Sequence, residues 1–363
     1  EISVLKDAAS SSIYGTRAAF GVIVITTKSG SGTDAKFRVN YSNNFSWATP
    51  TVLPEVAKSY EGASMALEAR NRRVPGTTLF TNSCGLVWNA NDIEYMEEWY
   101  NGYYGQDLGS EMVEGRDFEI KSGVPHFWRS WNAADEYIKD FSFSQQHNMS
   151  FSGTAGKTNY YMGLSYMGQD GVVKVNPDSY NRFSVNYSTD TEIKPWLKVR
   201  SKALYTRTTL ETPFNFNSSS YDALYYLYRW PSIMPYGTYE GEPFRNSVTE
   251  TAAANMNTDV KDYMRFSVGA TFVLGIPDLT FDVDYTFNID NQSITQRGGT
   301  VGGWDFWSGS MNLVENWAAT SRNKVDKYQY NRNYHAGNAV LRYKHTWNDA
   351  HSFNIFGGMN IEY

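Results

Sequence analysis

The stretch LTFDVDYTFNI, residues 279–289, alternates without a break. Leu279, Phe281, Val283, Tyr285, Phe287 and Ile289 fall on one side of an extended chain, and Asp282, Asp284, Thr286 and Asn288 on the other. Successive side chains of a strand point to opposite faces, so this segment has one greasy face and one wet face. The same split recurs in FRVNYSNNFSW (37–47) and FSFSQQHNMSFS (141–152). It returns in the rows Tyr160 to Tyr166, Phe183 to Tyr187, Leu197 to Tyr205, Phe266 to Leu274, Ala339 to Trp347 and Phe353 to Ile361. Nine such strands are expected, each with about the 9–11 residues that a tilted strand needs to cross hydrocarbon.

The links between them alternate as well. GTAGKT, TDTEIKP, GIPD and NDAH are short, whereas 48–140, 168–179, 208–261 and 291–334 are long. Tight turns on one side and long loops on the other is the asymmetry of an outer-membrane barrel. A soluble sandwich also alternates, but its hairpin loops are mostly short, and structureless links beyond about 15 residues are uncommon in compact domains. It also gives no reason for Tyr41, Trp47, Tyr166, Tyr187, Trp196, Tyr205, Tyr343, Trp347 and Tyr363 to gather near the ends of the apolar rows, as interfacial girdles do.

Composition agrees. The 363 residues carry 27 Tyr, 20 Phe and 11 Trp, yet mean hydropathy is -0.51, as expected of a wall with one polar side. No apolar run approaches the length of a membrane helix. The net charge of -6 and isoelectric point near 5.5 argue against nucleic acid as a partner, which calls for a basic face. The one cysteine, Cys84, rules out an internal disulfide framework and reads as a structural thiol in a loop. No signal peptide is visible at Glu1, and because the chain opens inside a structural unit, the compartment is not read from that.

That opening unit is VLKDAASSSIYGTRAAFGVIVITTKSG (4–30). It reads as a short strand, a helix entered at Asp7, a break at Gly15 and a second strand from Val22 to Thr27. It lacks the spacing of a phosphate-binding loop. As a string it closely resembles the end of the plug domain in the SusC family of TonB-dependent outer-membrane transporters, through Val4 to Ala8, Ile13 to Ile23 and Thr26 to Gly30. Phe20 departs from the family, which often has Asn before that glycine.

The resemblance implies an antiparallel transmembrane β-barrel, of 22 strands when complete, preceded by the end of an α/β plug. Residues 1–34 are then plug and 35–363 the first nine barrel strands. Nine cannot close a barrel of this class, whose strand numbers are even, and an open edge in lipid leaves backbone groups unpaired. The chain is therefore expected to be an internal piece of a larger protein in the outer membrane of a Gram-negative bacterium. The family further implies a SusD-like surface lipoprotein, the TonB complex, surrounding outer-membrane lipid and a glycan cargo, with oligopeptide cargo, as in relatives of RagA type, as the alternative. A passive adhesive barrel is the rival from another class. No cofactor is expected.

Two sets of candidate residues follow. In the plug, Lys6, Asp7 and Arg17 are expected to lock against lumenal Asp282 and Asp284, which lie roughly 6.5 Å apart on one strand face. That carboxylate pair invites comparison with glycosidases, but lumenal polarity explains it without catalysis. G-x-S-x-G, H-E-x-x-H and paired C-x-x-C motifs are absent, so an enzyme is not expected. His345 and His351 flank a short turn with no third metal ligand evident. In the loops, WNANDIEYMEEWYNGYYG (88–105), YDALYYLYRWPSIMPYGTYEG (221–241) and GGWDFWSG (302–309) combine flat rings with acids and amides, a sugar-binding chemistry. Trp88, Trp99, Tyr100, Tyr103, Tyr104, Trp304 and Trp307 are the ligand candidates, with packing of the loops upon themselves as the competing role.

Overall fold

The computed structural model describes residues 2–6, 20–25, 37–53, 55–214, 229–317, 324–348 and 351–363. Two short strands, β1 (Ile2–Leu5) and β2 (Val22–Ile25), pair antiparallel, with Leu5 opposite Val22. The expected helix between them lies outside the described residues, as do Asp7 and Arg17.

The large sheet contains β3 (Arg38–Ala48), β4 (Ser142–Ala155), β5 (Thr158–Asp170), β6 (Ser179–Lys194), β7 (Leu197–Pro213), β8 (Met256–Val273), β9 (Leu279–Arg297), β10 (Val325–Trp347) and β11 (His351–Glu362). Its nine strands follow chain order, each antiparallel to the next. Every connection is therefore a hairpin, tight at one end and elaborate at the other. Gly156, with φ of 59°, supplies the left-handed position of the two-residue turn from β4 to β5.

Cross-strand register keeps the two faces chemically distinct around the wall. Tyr41, Met149, Leu164, Val185, Tyr205, Met264 and Ile289 stand opposite one another in succession, an unbroken apolar row over seven strands. One residue along, on the other face, run Asn40, Ser150, Gly163, Asn186, Leu204, Arg265 and Asn288. A slip of one residue would exchange the faces, so the alternation fixes the register. The apolar face is left uncovered: Phe266 is 46% exposed and Met359 62%. A surface of that extent on a water-soluble domain marks an interaction face, and on a barrel it is the side that meets hydrocarbon. No helix is long and apolar enough to cross a membrane, which says nothing about a barrel.

β3 has 11 residues, as expected, but the other strands are longer, up to 23 residues in β10. Residues assigned from sequence to the links 208–261 and 291–334 belong in part to strands, since β7 continues to Pro213 and β10 begins at Val325. Beyond the apolar belt both faces are polar, as in Asn291, Gln292, Ser293 and Asn331, so the period-2 signal vanishes while the hydrogen-bonded ladder continues. For the same reason Tyr205 sits mid-strand although it ends the apolar row.

The packed core lies in the links rather than the wall. The first link holds α1 (Ser59–Arg73), α2 (Ala90–Tyr103) and α3 (Ala133–Tyr137), and the third holds α4 (Ser247–Ala252). Leu86, Met96, Phe118 and Phe127 of the first link pack with Ile233, Met234 and Phe244 of the third and Phe306 of the fourth, each almost wholly buried. Burying side chains of this size contributes about 1.5–3 kcal/mol each, so three distant links are welded into one cap.

Candidate functional site

The cap is built around buried charge as well as rings. α2 starts with a reciprocal cap: the Asn89 side chain accepts from the Asp92 N–H and Asp92 accepts from the Asn89 N–H, at 3.1 and 2.9 Å. Asp92 also meets Nδ1 of His126 at 2.7 Å and Nζ of Lys121 at 3.5 Å. Burial alone would raise its carboxyl, but the His126 bond, the Asn89 N–H and the nearby Lys121 ammonium outweigh it and hold the group below its ordinary value. Asp117, fully buried, accepts from Nε1 of Trp99 at 2.9 Å and from Nη2 of Arg116 at 2.6 Å. Cys84 is sealed in the same core, and burial, opposed by its bond to Asn82, pushes the thiol up to about 11.

The structure divides the seven aromatic candidates. Trp88 and Trp99 are inside the core, 2% and 5% exposed, with their indole N–H groups given to the Ala63 carbonyl and to Asp117. Trp304 and Trp307 are half-buried and donate to the Tyr239 and Arg245 carbonyls, and the Arg245 guanidinium lies 4.3 Å over the Trp307 ring. Trp88 and Trp99 thus hold the first link together, and Trp304 and Trp307 join the fourth link to the third. Tyr103 faces Arg116 at the cap surface.

Tyr100 and Tyr104 stand apart from that core. Their rings stack at 4.2 Å and 14°, one turn apart at the end of α2, and line a cavity of about 620 Å³. Its opposite walls come from the chain leaving β3, with Glu55, Lys58 and Glu61, and from the chain returning to β4, with Ser130, Trp131 and Asn132. The cavity therefore sits above the rim of the wall. The buried Nε1 of Trp131 has no hydrogen-bond partner among the described residues. Flat rings, two carboxylates, an ammonium and an unused N–H donor are the groups that hold a polyhydroxylated or zwitterionic oligomer. Glu55, Lys58, Glu61 and Trp131 carry no local sequence signal; only the closure of the first link brings them to the tyrosines.

Below the cap, Asp282 and Asp284 both face the lumen and both are engaged by the wall. Asp282 accepts from Thr271 Oγ1 at 2.5 Å and lies 3.7 Å from Nη2 of Arg200, while Asp284 accepts from Nδ2 of Asn338 at 2.8 Å. Lys6 is exposed. His345 is held by Asp278 at 2.6 Å.

Comparison with known proteins agrees with this architecture. No family model matches the chain. TonB-dependent receptor P39 of Formosa agariphila is 24% identical over 99% of this chain and 29% of its own length. The RagAB peptide importer in its open-open state superposes with a TM-score of 0.67 at 16% identity, over 99% of this chain and 38% of the neighbour. The closed-closed state gives 0.65 at 17% identity. The chain thus spans about three-tenths of the curated relative, and its sheet has the fold of part of a TonB-dependent barrel wall. The proteins it resembles are a receptor and importers rather than enzymes.

Proposed function

We propose that this SusC/RagA-like segment of a TonB-dependent transporter serves the energised import of an oligomeric nutrient across the outer membrane. In this reading the cap faces the cell exterior beneath a SusD-like lipoprotein. The wall crosses the lipid, and the plug, whose end contains β1 and β2, yields when the TonB complex pulls. Asp7 and Arg17 act with Lys6 in the lock that holds the plug until then.

The cargo is a glycan. The observation that carries this reading is the stacked Tyr100–Tyr104 pair facing Glu55 and Glu61 across the rim cavity, since sugar C–H faces pack on rings while hydroxyls bond to carboxylates. The second reading, an oligopeptide cargo, is favoured by the similarity to the solved structures of a peptide importer.

Uptake by cells carrying the complete transporter tests the proposal. Import that stops when TonB is deleted supports an energised importer, and TonB-independent growth on the cargo points to a passive barrel. Binding of labelled oligosaccharides against oligopeptides to the purified transporter separates the two cargo classes.

A further inference from the structure

A cavity of about 580 Å³ lies against the lumenal wall, between Ile25 of β2 and the polar faces of β6, β7 and β8. Lys202 of β7 stands opposite Ser188 on one side and Ser267 on the other. Arg265 is its diagonal neighbour on β8, about 7 Å away along the sheet surface.

Several wall cations are partnered by carboxylates: Arg200 by Asp282 at 3.7 Å, Arg207 by Asp262 at 3.7 Å and Lys157 by Glu192 at 3.2 Å. Lys202 and Arg265 are not, and the two line one cavity. Among the described residues no carboxylate comes within ion-pair distance of either. Arg265 gives Nε to the Asn288 side chain at 3.1 Å and lies 5.6 Å over the Tyr263 ring, and the rest of its fork makes no hydrogen bond among the described residues. Beside them Ser188, 5% exposed, keeps a buried hydroxyl with no hydrogen-bond partner among the described residues. Two adjacent like charges on one sheet face are destabilising unless an anion lies between them. A guanidinium fork beside an ammonium is the donor set that grips an oxyanion.

We propose that this cavity receives an oxyanion carried by the cargo, so that the imported oligosaccharide is acidic. The inference rests on the import reading. The cavity lies where the plug strand meets the wall, so an acidic sugar descending from the rim cavity meets two neighbouring cations there. Lys202 supplies a point charge, Arg265 a planar two-donor contact and Ser188 a further donor.

The test is amine acetylation of the complete detergent-solubilised transporter, read by peptide mass spectrometry. Trigalacturonate is the acidic probe, maltotriose the neutral one, and Lys198, on the same strand face, the internal reference. Trigalacturonate should slow acetylation of Lys202 several-fold relative to Lys198, and maltotriose should not. Arg265→Gln should raise the trigalacturonate concentration needed for protection about tenfold, the loss of one charged hydrogen-bond partner. Equal protection of both lysines, protection by maltotriose, or an unchanged response in Arg265→Gln overturns the proposal. None of these outcomes depends on TonB, so import and the acidic site fail separately.

Discussion

Nδ1 of His126 lies 2.7 Å from the Asp92 carboxylate, 34 residues away in sequence and inside the cap core. The contact ties the start of α2 to the hairpin Phe118–Lys121/Val124–Phe127. Because the folded-state value of Asp92 is lowered from 3.8, its contribution to stability is present above that value and is lost as pH falls through the lower folded-state one. The near-ultraviolet circular dichroism of the cap tryptophans should melt at an unchanged temperature from pH 7 to pH 5 and at a falling one below about pH 4. Asp92→Asn should flatten that acid limb and cost about 1.5–3 kcal/mol at pH 7. An unaltered acid limb would assign the effect to other carboxyls.

Gly85 and Gly105 share a φ of 83°, yet only one is crowded. A Cβ at Gly85 would meet the Phe306 carbonyl oxygen and the Trp307 backbone, whereas nothing lies within 4 Å of Gly105. Gly105→Ala should therefore cost about 1 kcal/mol of backbone strain. Gly85→Ala should add the undocking of the fourth link, about 2 kcal/mol more. Equal melting temperatures for the two variants would show that the links do not dock at Gly85.

Cys84 is wholly buried and its thiol is pushed up to about 11. Since the thiolate is the nucleophile, alkylation at pH 8 should be negligible in the folded protein and rapid in denaturant. Fast labelling of the native chain would mean that the cap opens on the timescale of the reaction.

Tyr104 and Trp99 were indistinguishable as ligand candidates in sequence, and they differ in consequence. Trp99→Ala removes a core ring and should destabilise the cap by about 3–5 kcal/mol. Tyr104, 49% exposed, should be replaceable by Ala at a cost below about 1 kcal/mol, while affinity for cargo falls roughly tenfold with the lost stacking. Unchanged cargo affinity in Tyr104→Ala would remove the rim cavity from the binding path.

The wall was legible because its chemistry is periodic. Val283 and Asp284 declare opposite faces from their neighbours alone, and the alternating link lengths give the hairpin order. The ends of the strands were hidden, because from Asp290 to Arg297 every residue but Ile294 is polar and only cross-strand hydrogen bonds reveal the ladder. The cap was legible as aromatic loops but not as a core. Which tryptophans point inward depends on contacts such as that of Trp88 with the Ala63 carbonyl, 25 residues away. Lys202 and Arg265 stood out in no motif. Their interest comes from carboxylates that are missing around them, and that appears only when the wall is assembled.

An importing role requires the nine-stranded sheet to be a membrane wall, with Val283 in hydrocarbon and Asp284 in the lumen. Spin labels placed singly at Val283→Cys and Asp284→Cys of the complete transporter in lipid vesicles test this directly. The Val283 label should be relaxed by oxygen, which dissolves in lipid, and shielded from a water-soluble nickel chelate; the Asp284 label should show the reverse. Equal access of the chelate to both positions would contradict a wall with one face in lipid, and with it the transporter.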